Sequence, residues 1–339
     1  MSDKNYTVRI FSAILACTMV IGLSSCSTWS VKTDGASLRQ RTLLDADWMF
    51  HRGDVSSHEQ ASSTGYDDRA WQDVQLPHDY VLDGSYSSTN EEKHGYLPLE
   101  VAWYRKHFFI PQSDADKILQ LEFGGIFRDS QVWLNGQFLG RHPSGYTGFY
   151  YDITKAARCG QENVIVVSVD PRQFEGHWYE GGGIYRHVYF EAMSPLHVAN
   201  WGTCVISKVA DGNRGAAADA ELTLQTTIKN EGSIPANCSV VSEIVGPDGT
   251  SLKTVRTEEV VASDGLCEMV QHTVLEQPRL WSLDAPQLYE LRTSLLQDGR
   301  PVDSTTTTFG IRTIFFDADK GFFLNGKHVQ IRGVANHQD

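Results

Sequence analysis

Residues 119–139 read LQLEFGGIFRDSQVWLNGQFL, and this stretch decides the fold class. Apolar and polar residues alternate in its first part, the apolar set being Leu119, Leu121 and Phe123 and the polar set Gln120 and Glu122. A period of two predicts a strand with one buried side and one side facing solvent. Asn135-Gly136 then separates two apolar runs, and this pair favours a tight hairpin because both positions need positive φ. The stretch therefore predicts strand, turn and strand.

The same pattern extends from about residue 41 to residue 192. Short candidate strands are separated by Gly, Pro, Asn and Asp, with almost no sustained helical period. Residues 163–169 (NVIVVSV) are apolar on both faces, which is typical of a strand inside a two-layer sandwich. Together these features predict a jelly-roll domain over residues 41–195.

A second β-sandwich is predicted over residues 196–310. Alternation marks two of its strands, one with Leu222, Leu224, Thr226 and Ile228 and the other with Tyr289, Leu291, Thr293 and Leu295. Pro247-Asp248-Gly249 and Asp298-Gly299 have turn chemistry. The length and about seven expected strands favour an immunoglobulin-like sandwich, so the predicted fold class is all-β.

The N-terminal segment is interpreted as an export signal over residues 1–26, followed by a polar linker over 27–40. Lys4 and Arg9 precede a short apolar run, and Leu23-Ser24-Ser25-Cys26 resembles a bacterial lipobox. Cys26 is then the lipidated residue, and the protein is anchored in the cell envelope, at the outer membrane or in the periplasm, with no other membrane attachment. An uncleaved transmembrane helix is the alternative.

Composition narrows the possible partners. The formal net charge is −13 and Lys/Arg runs are absent from the sequence, which argues against nucleic acid as a partner because phosphate binding needs a concentrated basic face. Besides Cys17 and Cys26 the chain has Cys159, Cys204, Cys238 and Cys267. Their spacing is not that of a metal site, so neither metal nor cofactor is expected in this chain. Free thiols are favoured over disulfides.

Several sequence blocks resemble glycoside hydrolase family 2, in the order in which that family carries them. The blocks are residues 44–50 (LDADWMF), Trp71 with 76–79 (LPHD), 103–108 (WYRKHF), 132–136 (VWLNG), 145–149 (GYTGF), 183–188 (GIYRHV), 281–286 (WSLDAP), 309–312 (FGIR) and 323–327 (FLNGK). The resemblance runs from about residue 43 to the end. It is strongest to β-galactosidase-like members, and it implies that the jelly roll binds sugar.

The resemblance also implies that residues 311–339 are the truncated start of a (β/α)₈ barrel. Such a barrel takes about 250 residues. In this family both catalytic carboxylates follow later barrel strands, so they are expected beyond Asp339 and no catalytic residue is expected in this chain. The chain is then the N-terminal portion of a retaining hydrolase of β-galactosides, and on its own it is expected to be inactive.

Four residues are candidate sugar contacts. His337 lies in a segment similar to the end of the family's first barrel strand, the face where barrel enzymes bind substrate. Glu175, Trp178 and Glu180 precede the GIYRHV block, in a loop that reaches the sugar pocket in the family. Aromatic faces and carboxylates together suit a sugar, whose CH groups stack on rings and whose hydroxyls need acceptors.

Other residues in the matching blocks are expected to be structural. Trp48, Trp71 and Trp133 are interpreted as core aromatics. Gly124, Gly145 and Gly183 are expected at positions that need positive φ.

Two alternatives remain to the enzyme-fragment hypothesis. One is a surface lipoprotein that binds carbohydrate without hydrolysis, and the other is a lipoprotein whose sandwiches act only as spacers. The enzyme fragment is favoured because a binding protein has no need of the barrel's first hairpin.

Overall fold

The computed structural model describes residues 38–173, 180–210 and 218–335, apart from the side chain of Lys93. Nearly all regular structure in these residues is β-strand. The first ten strands are β1 (Gln40–Leu43), β2 (Trp48–Arg52), β3 (Gln72–Val74), β4 (Ala102–Ile110), β5 (Ile118–Phe123), β6 (Ser130–Leu134), β7 (Gln137–His142), β8 (Phe149–Asp152), β9 (Gln161–Val169) and β10 (Val188–Met193). The short helix α1 (His58–Ser62) and two single-turn 3-10 helices, Glu92–His94 and Gln112–Asp114, lie among them.

These ten strands form a sandwich of two antiparallel sheets. One sheet has the order β3-β2-β4-β9-β6-β7 and the other β1-β10-β5-β8. The core between the sheets includes Trp48 and Phe123, both fully buried. Trp133 is buried in a second cluster, against which Trp71 packs half-buried. The prediction of core aromatics is therefore confirmed for Trp48 and Trp133, whereas Trp71 lies at the edge of the second cluster.

Strand β9 is buried on both faces, as its sequence predicts. Ile165 and Val167 point into the core between the sheets, whereas Val164 and Val166 belong to the second cluster. That cluster includes Ala61 of helix α1, so the segment around this helix covers the outer face of the six-stranded sheet. Covering on both sides explains why the strand has no polar alternation.

The second sandwich has seven strands. They are β11 (Leu196–Val209), β12 (Ala220–Asn230), β13 (Ala236–Val245), β14 (Ser251–Val261), β15 (Gly265–Leu275), β16 (Tyr289–Gln297) and β17 (Arg300–Phe309). The sheets have the orders β11-β12-β15 and β14-β13-β16-β17. Burial alternates along β12 and β16 as predicted, and Asp298-Gly299 joins β16 to β17 with both residues at positive φ.

The last described residues form a small antiparallel sheet of β18 (Ile314–Asp317), β19 (Gly321–Leu324) and β20 (Lys327–His328). Asn325 and Gly326 make the predicted hairpin at positive φ. Residues 329–335 are outside the regular strands, with Val334 88% exposed. The start of a barrel is not visible in the described part of the chain, and that interpretation stays a prediction, as do the domain boundaries.

One face of the first sandwich differs from the sequence prediction. Gln120 of β5 was expected to face solvent but is only 2% exposed. It lies opposite Glu191 of β10, whose carboxylate pairs with Arg39 and Arg41. Arginine side chains from the N-terminal edge therefore pair with the carboxylate beside Gln120, whose own side-chain oxygen is buried without a hydrogen-bond partner among the described residues. Among the described residues, the structure has no helix long and apolar enough to cross a membrane.

Candidate functional site

Of the four predicted sugar contacts, the structure describes Glu180 alone. Glu175, Trp178 and His337 lie outside the described residues, as does the predicted lipidation residue Cys26. Their roles stay predictions. Glu180 is half-buried and begins segment 180–187, which leads from the loop after β9 into β10.

Segment 180–187 is fixed on one side by the loop that follows β3. The amide of His78 donates to the carbonyl oxygen of Ile184 at 2.8 Å, and the amide of Tyr80 donates to that of Gly182 at 3.1 Å. Paired backbone groups of this kind align the segment as an additional strand would. The peptide that carries Glu180 is therefore attached to a fixed backbone.

Gly183 fixes the other side of the segment and has to be glycine. It exchanges two backbone hydrogen bonds with Phe127, at 2.6 and 2.9 Å. Its φ is +123°, and a Cβ there would lie 2.5 Å from both the carbonyl oxygen of His78 and the hydroxyl of Tyr104. The prediction of positive φ is confirmed at this residue, and close approach of neighbouring groups adds a second reason for glycine.

Gly124 and Gly145 were predicted at positive φ, and this was wrong. Neither has positive φ. A Cβ on Gly145 would lie 2.1 Å from the ring of Phe127, and one on Gly124 would lie 3.1 Å from the Cβ of Arg186. Gly145 has no room for a side chain because the Phe127 ring packs directly on its backbone, and Gly124 has a tight contact with Arg186. Sequence cannot distinguish this cause from a turn.

A chain of hydrogen bonds through His78 and Tyr104, here called the His78 relay, links the loop after β3 to segment 180–187. Nε2 of His78 lies 3.3 Å from a carboxylate oxygen of Asp83, and Nδ1 lies 2.8 Å from the hydroxyl of Tyr104. Because a carboxylate only accepts, Nε2 donates to Asp83 and Nδ1 accepts from Tyr104. The same hydroxyl has a backbone hydrogen bond with Ile184. The relay connects three chain segments.

Burial keeps two members of the relay, His78 and Tyr104, uncharged. It lowers the pKa of His78 below its ordinary value of 6.5, although Asp83 opposes the shift. Burial also raises the pKa of Tyr104 well above its ordinary value. Both side chains are therefore uncharged at neutral pH, which suits positioning rather than proton transfer.

Asp79 lies directly beside the start of the segment. Its Oδ1 accepts the amides of Val81, at 3.2 Å, and Gly182, at 3.0 Å. A Cβ on Gly181 would lie 2.7 Å from its Oδ2. One oxygen of Glu180 is covered from solvent and has no hydrogen-bond partner among the described residues. An unpaired carboxylate oxygen is an acceptor suited to a sugar hydroxyl.

A cavity of about 580 Å³ lies between Arg172 and the segment around the 3-10 helix Glu92–His94. Its walls are Thr89, Asn90, Glu91, His94, Leu97, Leu99 and Arg172. Two guanidinium nitrogens of Arg172 each lie 2.8 Å from a carboxylate oxygen of Asp170. This cavity was not predicted from the sequence, because its walls come from two segments that lie far apart in the chain and have no periodic pattern.

The described residues contain no group of three or more His, Cys, Asp or Glu side chains arranged to hold a metal ion. Cys159, Cys204, Cys238 and Cys267 are free thiols. Burial raises the pKa of Cys238 to about 11, so that thiol is unreactive at neutral pH.

Comparison with known families accounts for both sandwiches. The family described as "Glycosyl hydrolases family 2, sugar binding domain" matches residues 55–193, and "Glycosyl hydrolases family 2" matches residues 208–312. The chain belongs to glycosyl hydrolases family 2. The first match contains the jelly roll from helix α1 to β10, and the second contains most of the seven-stranded sandwich.

Relatives within family 2 include enzymes of two specificities. The chain is 38% identical over 320 residues to β-galactosidase BoGH2A of Bacteroides ovatus, covering 94% of this chain and 36% of that protein. It is 28% identical over 314 residues to a β-glucuronidase of Formosa agariphila, covering 86% of this chain and 31% of that protein. A solved family 2 structure from Bacteroides cellulosilyticus DSM 14838 superposes with a TM-score of 0.74 at 34% identity, covering 85% of this chain and 38% of that one. The chain thus spans about a third of the length of these relatives.

Proposed function

We propose that this chain is the N-terminal, non-catalytic part of a β-galactosidase-like hydrolase that cleaves β-galactosides with retention. The observation that carries the proposal is the 38% identity with β-galactosidase BoGH2A, which extends over 94% of this chain. The two sandwiches would support a barrel that carries the chemistry. Retaining glycosidases need two carboxyl groups about 5–5.5 Å apart, a nucleophile and an acid/base. We place both beyond Asp339.

Within that enzyme, segment 180–187 would help to form the sugar site. Its backbone is bonded on both edges, and Glu180 offers a covered acceptor oxygen. A rigid base of this kind reduces the entropy lost when a loop residue binds ligand. Glu175, Trp178 and His337 are the other proposed sugar contacts. Sugar hydroxyls would donate to the Glu175 carboxylate and bond the His337 imidazole, and a sugar ring would stack on the Trp178 indole.

The charges near Glu180 support a galactoside over a glucuronide. Asp79 and Asp83 lie on the loop bonded to segment 180–187, so three carboxylates are close to the segment. The guanidinium group of Arg172 is paired with Asp170. Arg52, which donates to the carbonyl oxygen of Tyr80, and Arg186 of the segment add two positive charges, so one negative charge remains in excess. A glucuronide carries a carboxylate, which such surroundings repel, whereas a galactoside is neutral.

Substrate preference tests the proposal. We expect the product of the complete coding sequence to hydrolyse an aryl β-galactoside with kcat/KM on the order of 100-fold above that for the matching β-glucuronide, because like charges in a site cost several kcal/mol. Glu180→Gln should lower galactoside turnover and narrow this ratio. Glu162→Gln, which removes an exposed carboxylate on β9, is the matched control and should change neither value. A preference for the glucuronide would contradict the proposal.

The proposal includes export and a lipid anchor at Cys26. Its basis is the apolar run that ends in Leu23-Ser24-Ser25-Cys26. In bacterial cells, Cys26→Ala should move the protein from the membrane fraction to the soluble fraction, as followed by fractionation and immunoblotting. Cys204→Ala removes an exposed free thiol instead and should leave the protein in the membrane fraction. A Cys26→Ala protein that loses its leader and stays with membranes would disprove the anchor.

A further inference from the structure

A second cavity, of about 440 Å³, lies where the jelly roll meets the seven-stranded sandwich. We call it the junction cleft. Its walls are Arg39, Arg41, Glu122, Glu191, residues 198–203 and residues 305–308. Its volume is within the range of about 300–1,000 Å³ that small-molecule sites occupy. It is separate from the residues around Glu180, and neither family match includes residues 198–203.

Two exposed aromatic rings stand at this cleft. Trp201 lines it and is 65% exposed, and Tyr150 of β8 is 42% exposed. Their ring centroids are 5.5 Å apart and their planes meet at 77°. The two rings form an open corner, and exposed aromatic faces of this kind suit ligands with an apolar face.

The backbone at Trp201 adopts a strained conformation that holds the ring in this exposed position. Its φ is +53°, and the pairing of β11 with β12 is interrupted between Val198 and Thr203. Positive φ is a genuine outlier for a bulky residue, and such strain clusters at ligand sites. Gly202 allows the bulge, since a Cβ there would lie 2.8 Å from the carbonyl oxygen of Ala199.

The cleft also has unsatisfied polar groups. The side-chain oxygen of Asn200 and the hydroxyl of Thr305 are covered, and neither has a hydrogen-bond partner among the described residues. Thr306 and Thr308 add exposed hydroxyls on the same wall. Rotation of the Asn200 or Thr305 side chain would let the unpaired oxygen meet a ligand hydroxyl, which favours a ligand rich in hydroxyl groups.

Charge decides between a neutral and an anionic ligand. Arg41 bonds Glu122 at 3.1 Å and Glu191 at 3.0 Å, and Arg39 lies 3.4 Å from Glu191. The two guanidinium groups of the wall are thus matched by two carboxylates. Asp303 behind the wall pairs with Arg39 at 2.8 Å and adds a third negative charge. An anionic ligand would find no surplus positive charge here.

From these observations we infer that the junction cleft is a binding site for a neutral oligosaccharide. A sugar ring stacks on Trp201 and Tyr150, and its hydroxyls bond Asn200, Thr305 and Glu122. The site needs no barrel and no catalytic group. A negative binding result at the junction cleft would therefore not contradict the proposed hydrolase activity. Absence of that activity would likewise not contradict binding at the cleft.

The test is a titration of the purified chain, by calorimetry and by intrinsic tryptophan fluorescence, with β-1,4-galactotetraose, cellotetraose and a trimer of glucuronic acid. We expect at least one neutral tetraose to bind and the anionic trimer to bind at least tenfold more weakly. Trp201→Ala should weaken neutral binding by about tenfold or more. Tyr150→Ala should weaken it less, and Trp201→Tyr should restore part of it.

Phe316→Ala is the matched control, because it removes an aromatic side chain that is 68% exposed on β18. It should leave binding unchanged, and thermal unfolding of each variant shows that the fold is intact. The inference is overturned if neither neutral tetraose binds, if folded Trp201→Ala and Tyr150→Ala bind as well as the parent, or if the anionic trimer is preferred. Self-association that Trp201→Ala abolishes would also overturn it, since the corner would then be a protein interface.

Discussion

The purified 339-residue chain is expected to show no measurable hydrolysis of an aryl β-galactoside. Positioned acid/base groups contribute about 10²–10⁴ each to rate, and a retaining enzyme also needs its nucleophile. We propose that both groups lie in a part of the enzyme that follows Asp339. The chain covers 36% of the length of β-galactosidase BoGH2A, which leaves most of that relative without a counterpart here.

A chimera provides the positive arm of this experiment. Joining the chain to the remaining part of the Bacteroides ovatus β-galactosidase should give turnover at least about 10⁴-fold above the chain alone. Initial rates of both proteins are measured at equal concentration. Within the chimera, replacing either of the two catalytic carboxyl residues of the barrel by its amide should abolish turnover. The claim fails if the 339-residue chain hydrolyses the substrate and Glu175→Gln or Glu180→Gln removes that activity.

The second large effect is expected from Asp303→Ala. Asp303 is fully buried on β17 and accepts two hydrogen bonds from Arg39, at 3.1 and 2.8 Å. Its carboxylate also accepts the amide of Val198 at 2.8 Å and that of Ser304 at 2.9 Å. Removing one partner leaves a guanidinium group with little solvent and without its main counter-charge. A buried pair broken in this way costs about 3–5 kcal/mol of unfolding free energy.

Denaturant unfolding measures this loss. Asp303→Asn keeps the shape but not the charge, so it should fall between the parent and Asp303→Ala. Glu290→Ala is the matched control in the same sheet, because its bond to Arg292 is exposed and such pairs contribute about 1 kcal/mol or less. Equal stability of Asp303→Ala and Glu290→Ala would show that the Arg39 to Asp303 contact does not stabilise the fold.

Local sequence predicted many elements of the fold because their causes are local. The hairpins at Asn135-Gly136 and Asn325-Gly326 follow from residues that tolerate positive φ, and both form as expected. Alternation along β12 and β16 gave their buried faces correctly, since side chains on a strand point to opposite sides.

The candidate site was much less predictable. Glu180 could be named from its neighbourhood in the sequence, but its setting depends on Asp79 and the His78 relay, which come from a loop about a hundred residues earlier. The cavity lined by Arg172 gave no periodic signal. Loop side chains converge only after the sheets that carry them have packed.

The sequence by itself determined the all-β class, the positions of several strands and the family resemblance, because short-range patterns and turn residues encode them. Only the tertiary structure decided which polar faces of the strands remain exposed to solvent. Gln120 is covered, and Arg39, at the end of the predicted linker, bonds Asp303 across a separation of 264 residues. The reason is physical: alternation records that a strand has two sides, whereas which side is covered depends on side chains that are distant in the sequence.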